Sequence, residues 1–392
     1  MELSLTSIEQ ELNPFPRYEK MRRSQPVYYD PERQNWNVFR YSDVQRVLSD
    51  YSAFSSQFMG NAAQDPGEPF TASMIATDPP RHRQLRSLVS QAFTPRAVEG
   101  LAPRITEIVN DHLDRVMDTG QMDIIHDLGY PLPVIVIAEL LGIPPEDRDR
   151  FKGWSDEVVS LADFGGSVDY EAFSSHAILE MSAYFFGMIE QRRRAPGEDL
   201  ISGLLAAEVE GEKLSEIELL GFCALLLVAG NETTTNLIGN AMWCFTEHPQ
   251  VWERLRSDPA RLDQALEEVL RYRSPVQAMF RVTTGEAVLA GETIPARSPV
   301  VAWIGSANHD EDQFSEPEKF DIDRNPNRNL AFGHGIHYCL GAPLARLEAK
   351  IAFEAMLERF QTVERLPEVQ LERLPSIIVY GLRSLPIGFS QS

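Results

Sequence analysis

Residues 332–342 read F-G-H-G-I-H-Y-C-L-G-A and surround a single thiol, Cys339. The glycines of this stretch are Gly333, Gly335 and Gly341. They give the loop backbone freedom, because residues without a Cβ can adopt positive φ angles and let a flat ligand approach the peptide groups. Pro343 then suits the first turn of a helix, whose dipole and free N–H groups stabilise a thiolate. Cys339 is therefore a candidate metal-bound thiolate.

Three interpretations of Cys339 fit these residues. A cysteine beside a helix start is often a small buried apolar side chain. A zinc site would combine it with His334 and His337, but no fourth ligand lies nearby in the sequence. A lone thiolate also suits iron that is held mainly by a macrocycle, as in haem with an axial cysteine.

The stretch resembles the haem-binding loop of the cytochrome P450 family, the haem-thiolate monooxygenases. The family pattern F-G-x-G-x-H-x-C-x-G is matched at each fixed position by Phe332, Gly333, Gly335, His337, Cys339 and Gly341. The resemblance implies haem b as cofactor, with Cys339 as the axial iron ligand. It also implies that His337 donates a hydrogen bond to a haem propionate and that the Phe332 ring packs near the sulfur.

A long helix is predicted upstream of this loop. Ser215 and Glu218 form an S-x-x-E capping box before an apolar stretch, and Pro249 marks the far end, so the helix covers about residues 215 to 248. Its middle, residues 229–236, reads A-G-N-E-T-T-T-N, and glycine and threonine are poor helix formers. We expect either a local opening of the helix or a loop between two helices.

The same insert resembles the oxygen-activation motif A/G-G-x-D/E-T of the family. The resemblance implies that Gly230 borders the oxygen pocket, that Glu232 is the acid and that Thr233 is the alcohol of a proton relay. The reaction needs such a pair because two protons must reach the oxygen that is reduced, through relays rather than bulk water. Thr234 and Thr235 are interpreted as structural.

Glu268 and Arg271 share one face of a helix predicted to begin near Pro259. In this position they resemble the E-x-x-R element of the family, which clamps the helix against the segment leading to the cysteine. The family usually adds an arginine in that segment, where this chain has Lys319, with Arg324 nearby. Lysine lacks the planar two-pronged donor of arginine. The sequence therefore leaves open which of the two completes the network.

Three further side chains resemble propionate contacts of the bacterial members of the family. His82 and Arg86 stand at i, i+4 in D-P-P-R-H-R-Q-L-R, so they share one helical face. Arg281 stands in F-R-V-T-T. The neighbouring Arg81 has no such match and is interpreted as a solvated charge.

Composition fits a soluble enzyme of the cytoplasm. The 392 residues, 43% of them apolar, can bury a large core, and the absence of linkers and repeats in the sequence predicts one domain over residues 1–392. The N-terminus lacks a basic start and an apolar run, so we expect neither a signal peptide nor a membrane anchor. Three cysteines indicate a reducing compartment, and a net charge of −22 argues against binding to nucleic acid.

The resemblance extends over essentially the whole chain, including the strand-like stretch 294–303. It implies a mainly α fold with a smaller β portion, the haem lying between the long helix and the cysteine loop. The implied reaction inserts one atom of O2 into an organic substrate by hydroxylation or epoxidation, with electrons from NAD(P)H through a separate ferredoxin or flavodoxin. The alternatives are a peroxide-driven haem-thiolate peroxygenase, against which the Glu232-Thr233 pair argues, and a non-catalytic haem sensor or carrier, which needs no relay.

Apolar side chains dominate the three segments that line the distal pocket in this family. We therefore predict a medium-to-large hydrophobic substrate, such as a macrolide or polyketide, terpenoid, steroid or fatty acid, in an adaptable pocket. The side chains are Phe58, Met59, Met74, Ile75, Phe164, Phe173, Ile178, Met181, Phe185, Val276, Ala278, Met279 and Phe280.

Overall fold

Helices dominate the computed structural model, which describes residues 12–57, 72–148, 150, 151, 153, 154, 157, 176–209 and 211–392. The described helices are α1 (Phe15–Ser24), α2 (Tyr41–Ser49), α3 (Arg81–Ala92), α4 (Pro95–Glu99), α5 (Ala102–Asp114), α6 (Pro131–Leu140), α7 (His176–Arg194), α8 (Leu200–Ala206), α9 (Glu216–Glu247), α10 (Pro249–Ser257), α11 (Leu262–Tyr272), α12 (Ile304–Ala307) and α13 (Ala342–Arg359). The described strands are β1 (Val27–Asp30), β2 (Asn35–Val38), β3 (Phe54–Ser55), β4 (Gln121–Asp123), β5 (Ala278–Thr283), β6 (Ala287–Leu289), β7 (Glu292–Ile294), β8 (Pro299–Trp303), β9 (Phe360–Arg365) and β10 (Pro386–Gln391). The architecture is mainly α with a smaller β portion, as predicted.

Helix α9 begins and ends where the sequence predicts. Ser215 is its N-cap, and the predicted capping box with Glu218 is formed, the Ser215 N–H donating to the Glu218 carboxylate at 2.8 Å. His248 follows the last turn, directly before Pro249. At 1.5 Å per residue, its 32 residues measure about 48 Å. The helix is therefore long enough to run through the whole protein.

The polar insert lies inside a continuous α-helix, so both the predicted opening and the alternative loop are wrong. Thr233 Oγ1 donates to the Ala229 carbonyl oxygen at 2.7 Å, which satisfies the hydroxyl without breaking the helix. Gly230 allows close packing on α6, since a Cβ there would lie 2.9 Å from Ile137 Cδ1. Packing against neighbouring helices thus outweighs the low helix propensity of the insert.

Helix α9 lies in the main hydrophobic core and packs against α6, α11 and α13. Phe245 of α9 and Phe353 of α13 meet edge to face in this core, both fully buried. Burying one such side chain contributes about 1.5–3 kcal/mol. By length and composition α9 could also cross a membrane, but 50% of its apolar window is buried inside the protein. We therefore describe α9 as the central core helix.

The larger sheet has the strand order β1-β2-β8-β5-β3, in which β2 runs parallel and β5 antiparallel to β8. Side chains alternate across a strand, so Met279 and Arg281 share one face of β5. Both line the central cavity described below. The smaller sheets have the orders β4-β10-β9 and β6-β7.

The stretch 294–303 is not one strand. It contains the end of β7, a turn and the whole of β8. In the turn Arg297 adopts a left-handed conformation with φ of 59°. Its N–H donates to the Thr283 carbonyl oxygen at 2.9 Å, which ties the turn to the end of β5.

Candidate active site

Cys339 lies in a loop closed by its own backbone. The Cys339 N–H donates to the Phe332 carbonyl oxygen at 2.9 Å. Gly333 and Gly335 use the freedom expected of glycine and adopt positive φ angles of 75° and 73°. Gly335 also passes close to α2, since a Cβ there would lie 2.8 Å from Ser49 Cα. These two glycines therefore allow the backbone conformation of the loop and its close packing on α2, and they also leave the thiol accessible.

Gly341 differs from the other two glycines. Its φ of −79° and ψ of 0° are right-handed, so this glycine does not use its access to positive φ angles. A Cβ at Gly341 would lie 3.9 Å from Cys339 Sγ, so the missing side chain leaves space beside the sulfur. Helix α13 begins at the next residue, with Pro343 in its first turn, as predicted.

The Cys339 sulfur lines the cavity beside this helix start. Burial raises the pKa of the Cys339 thiol, while the backbone N–H groups of Gly341 and Ala342 and the charges of Arg86 and Arg346 lower it. A metal cation would displace the thiol proton. The other two thiols are fully buried outside this lining, and burial raises the pKa of Cys223 to about 12 and that of Cys244 to about 11.

Arg346 is a neighbour of the loop that sequence reasoning missed. Its guanidinium carbon lies 4.4 Å from the centre of the Phe332 ring, and its Nε lies 2.5 Å from Glu267 Oε1. It also donates to the Tyr338 hydroxyl at 3.3 Å. The sequence offers no spacing that singles out this arginine, because its partners come from two different elements.

Three of the predicted propionate contacts, Arg86, Arg281 and His337, line one edge of the cavity, and His82 lies behind them beside His337. Helix α3 presents His82 and Arg86 from one face, and Arg281 reaches the same region from β5. The rings of His82 and His337 lie 4.2 Å apart. Ser56 Oγ lies 2.9 Å from His337 Nε2. The structure therefore brings together residues that are up to 281 positions apart in the sequence.

The start of α3 is tied to the start of α9. Arg81 donates to both carboxylate oxygens of Glu218, at 2.7 and 2.6 Å. Its interpretation as a solvated charge is therefore wrong. The same Glu218 caps α9, so one carboxylate fixes the helix that carries His82 and Arg86 against the central helix.

The arginines of this cluster form no ion pair among the described residues, although the charge of Asp78 acts on Arg281 and His82. Arg281 is 3% exposed, and in the described part of the chain neither Arg281 nor Arg86 forms an ion pair. Burial lowers the pKa of Arg281 to about 10 and that of Arg86 below its usual range. Burial and the neighbouring arginines lower the pKa of His82 to about 4. Burial, with the charges of His82, Arg281 and Arg86, lowers the pKa of His337 to about 3.

Such a cluster fits a ligand that carries carboxylates. Anions would relieve the cost of burying unpaired cations. His82 Nε2 is buried without a hydrogen-bond partner among the described residues, so it is available to such a ligand. The two propionates of haem meet this requirement, and the thiol of Cys339 lines the same cavity. The residues present therefore fit haem.

Helix α9 forms the wall of the cavity that faces the cysteine loop. Gly230 and Thr233 line the cavity, and so does Thr234, which was interpreted as structural. Thr235 is buried, and its hydroxyl has no hydrogen-bond partner among the described residues. Glu232 is half-buried and does not line the cavity.

The cavity has a volume of about 250 Å³ and mostly apolar walls. The predicted pocket side chains that line it are Met74, Ile75, Val276 and Met279. Four others do not line it and belong to the packing of helices and strands, namely Met181, Phe185, Ala278 and Phe280. The remaining predicted pocket side chains lie outside the part of the chain that the structure describes, namely Phe58, Met59, Phe164, Phe173 and Ile178.

Several lining residues were not predicted. They include Ile137, Phe222, Leu225, Leu226, Leu344, Ala345 and Glu348. For the residues of α9 a signal exists in the sequence, since Phe222, Leu226 and Thr233 fall on one helical face. Ile137 and Glu348 come from other helices, and no local pattern connects them with the cysteine loop.

The segment before the cysteine loop is clamped to α11. Arg271 donates to both oxygens of Glu268, at 2.8 and 2.7 Å, and both side chains are fully buried. Arg324 Nε donates to the same carboxylate at 3.2 Å. Lys319 contributes only its carbonyl oxygen, which accepts from Arg271 at 3.0 Å. Arg324 therefore completes the network.

Comparison with known proteins agrees with the fold. The family described as Cytochrome P450 matches residues 9–376. Cytochrome P450 109 of Bacillus spizizenii is 46% identical over 389 residues, covering 98% of this chain and 93% of that protein. The erythromycin C-12 hydroxylase of Saccharopolyspora erythraea is 41% identical over 376 residues, covering 94% of this chain and 92% of that protein.

Solved structures give the same result. CYP109E1 from Bacillus megaterium, crystallised in complex with testosterone, superimposes with a TM-score of 0.85 at 44% identity, covering 96% of this chain and 99% of that chain. These matches define a haem b oxidoreductase of the monooxygenase class. This chain belongs to the cytochrome P450 family. The predicted family, fold class, enzyme class and cofactor are thereby confirmed.

Proposed function

We propose that this chain is a haem-thiolate monooxygenase of hydrophobic small molecules, with Cys339 as the axial ligand of the iron. One observation carries the proposal: a single cavity is lined by a thiol at a helix start and by the half-buried Arg86 and the buried Arg281, which form no ion pair among the described residues. When bound there, haem supplies the iron chemistry that inserts one atom of O2 into a substrate, and thiolate donation favours O–O cleavage.

In this proposal the cationic edge of the cavity holds the haem propionates. Arg86 and Arg281 supply the charges, and His82 and His337 supply ring N–H donors. Anions would also raise the low pKa values of both histidines, because opposite charge stabilises the protonated ring. Phe332 packs beside Cys339. Arg346 lies over the Phe332 ring and adds a positive charge near the Cys339 sulfur.

The polar residues of α9 deliver protons in this proposal. The Thr233 hydroxyl donates its hydrogen to the Ala229 carbonyl oxygen. Its oxygen lone pairs therefore accept hydrogen bonds from donors in the cavity. Glu232 directly precedes Thr233 in α9 and acts through it, while Gly230 leaves room for O2. The overall reaction, RH + O2 + NAD(P)H + H⁺ giving ROH + H2O + NAD(P)⁺, consumes protons in the cavity at every turnover.

A steroid or macrolide is the substrate class we propose. The walls supplied by Met74, Ile75, Val276 and Met279 are apolar, and flexible methionines adapt to different shapes. A similar protein was crystallised with testosterone, and another relative hydroxylates erythromycin at C-12 by its name. Both ligands are large and hydrophobic, which agrees with the apolar cavity.

We also propose that electrons reach the enzyme from NAD(P)H through a separate ferredoxin or flavodoxin in the cytoplasm. The 392 residues contain no dinucleotide-binding fingerprint of the Rossmann type, which is consistent with this proposal. The half-exposed ring of Tyr338 lies on the loop that carries Cys339, where such a donor would approach the iron.

Ligand titration tests the substrate class. Testosterone and a macrolide should each move the Soret band of the haem-loaded protein toward high spin. Met279→Glu places a charge in the apolar wall and should weaken this binding about tenfold or more. Val288→Glu is the matched control, because Val288 is 52% exposed on β6. A shift caused only by a small charged metabolite would contradict the proposal.

A further inference from the structure

A buried serine, Ser56, meets one of the histidines at the cationic edge of the cavity. It directly follows β3 and is 0% exposed. Ser56 Oγ lies 2.9 Å from His337 Nε2, and this is the only hydrogen bond of the hydroxyl among the described residues. His337 lines the cavity, whereas Ser56 does not. The serine therefore acts on the cavity through the histidine.

The direction of this hydrogen bond follows from the burial of the hydroxyl. Buried polar groups nearly always have hydrogen-bond partners. In the described part of the chain, His337 Nε2 is the one acceptor within reach of the Ser56 hydroxyl hydrogen. If the ring donated instead, that hydrogen would be buried without an acceptor. The Ser56 hydroxyl is therefore the donor, and Nε2 is the acceptor.

This bond decides which ring nitrogen of His337 carries a hydrogen. A charged ring would lie among Arg86, Arg281 and the ring of His82, which favours the neutral imidazole with its single N–H. Because Nε2 accepts from Ser56, the hydrogen is on Nδ1. Nδ1 has no hydrogen-bond partner among the described residues. The ring N–H is thus left for a ligand in the cavity.

Asp78 holds Ser56 in place. Asp78 Oδ1 accepts from the Ser56 N–H at 3.0 Å, and Oδ2 accepts from the hydroxyl of Ser55, the last residue of β3. Strand β3 pairs with β5. The backbone carbonyl oxygen of Asp78 accepts from the His82 N–H at 3.0 Å, at the start of α3. One residue thus joins the end of β3 to the helix that carries His82.

We propose that Ser56 is a positioning residue for the haem propionate site: its hydroxyl fixes the Nδ1–H tautomer of His337, and Asp78 fixes Ser56. This inference rests on the proposed function, in which haem occupies the cavity. A propionate then meets a ring whose donor nitrogen is already set. Without the hydroxyl, the two ring nitrogens compete for the hydrogen, and the ring loses the bond that orients it.

Nitrogen NMR of the histidine rings tests the tautomer directly. The reduced carbon monoxide complex of the haem-loaded enzyme is diamagnetic, so the signals of nitrogen-labelled histidine can be resolved. The His337 signals are identified by their loss in His337→Gln. In the wild type at pH 7 they should show a protonated Nδ1 and an unprotonated, hydrogen-bonded Nε2. The opposite tautomer, or a ring with both nitrogens protonated, would overturn the inference without any need for a folded Ser56 variant.

Two substitutions test the positioning role. Ser56→Ala should give a mixture of His337 tautomers and should release haem to an apo-globin about fivefold faster, because a hydrogen bond that orients the propionate donor is lost. Asp78→Asn should change the tautomer in the same direction, although Asp78 does not bond the ring, because an amide nitrogen cannot accept from Ser55 or Ser56.

Ser306→Ala is the matched control. It removes a hydroxyl that is equally buried but accepts from Arg22, so it should leave the His337 signals and the rate of haem loss unchanged. A folded Ser56→Ala enzyme with wild-type His337 signals or a wild-type rate of haem loss would overturn the inference. If the wild type lacks a thiolate spectrum with carbon monoxide, the proposed function itself fails instead.

Discussion

Arg324 Nε lies 3.2 Å from both carboxylate oxygens of Glu268, which Arg271 also binds in the protein interior. Asn327 donates to the same carboxylate at 3.0 Å. One buried carboxylate thus joins helix α11 to the segment that leads into the cysteine loop. The position of Cys339 depends on this clamp, because residues 324–332 connect the two directly.

Arg324→Ala should lower the free energy of unfolding by about 3 kcal/mol, because a buried carboxylate loses one of its two cationic partners. Lys319→Ala is the control, and it should change stability by about 0.5 kcal/mol or less, since only the backbone carbonyl of Lys319 takes part. Denaturant unfolding of both variants measures the difference. Equal effects would show that the network is not centred on Arg324.

Thr233→Val should leave haem binding intact while product formed per NAD(P)H falls about tenfold and peroxide rises, because the cavity loses the hydroxyl of the proposed relay. Thr235→Val is the matched control: its hydroxyl is buried and lacks a partner among the described residues, and it does not line the cavity. Coupling at the wild-type level in Thr233→Val would exclude the relay role.

Arg281→Met should have opposite effects on the two forms of the protein. The haem-free protein should become more stable by about 1 kcal/mol, because an unpaired buried cation is removed. The haem-loaded protein should lose haem about tenfold faster, because a charge-assisted hydrogen bond to a propionate is lost. Unfolding and haem transfer to an apo-globin measure these effects, with the exposed Arg96→Met as control. Unchanged haem loss would contradict the propionate assignment.

Gly335→Ala should destabilise the protein by about 3 kcal/mol, since the new Cβ meets Ser49 Cα at 2.8 Å and φ is 73°. Gly333→Ala provides the comparison. It has a similar φ of 75° but a nearest neighbour at 3.8 Å, so only the backbone cost of about 1 kcal/mol is expected. Thermal unfolding separates the two, and equal losses would mean that the contact with α2 is unimportant.

The parts of the molecule that were predictable depend on local pattern. The capping box at Ser215, the i, i+4 pair of His82 and Arg86, and the glycines around Cys339 are all properties of a few consecutive residues. Helix propensity is also a local property. It gave a wrong prediction of a helix opening or a loop at residues 229–236, because the packing of Gly230 against Ile137 favours a continuous helix. There a tertiary contact overrides the local preference.

The parts that were not predictable depend on which elements meet in space. Lys319 stands where the family usually has arginine and Arg324 lies five residues further on, and only the path of the backbone decides which side chain reaches Glu268. Glu348 stands among ordinary helix formers in A-R-L-E-A-K, so its burial follows from the face that α13 turns to the cavity. The same holds for Arg346, whose ring and ion-pair partners belong to separate segments.

The spectrum of the reduced carbon monoxide complex tests the central claim, that Cys339 supplies a thiolate to haem iron. The wild type and Cys223→Ala, which alters a buried thiol away from the cavity, should both show the strongly red-shifted Soret band of a thiolate-ligated haem. Cys339→His should lose this band while retaining a haem spectrum. A wild-type band at the position of a histidine-ligated globin, or a red-shifted band that survives in Cys339→His, would contradict the account.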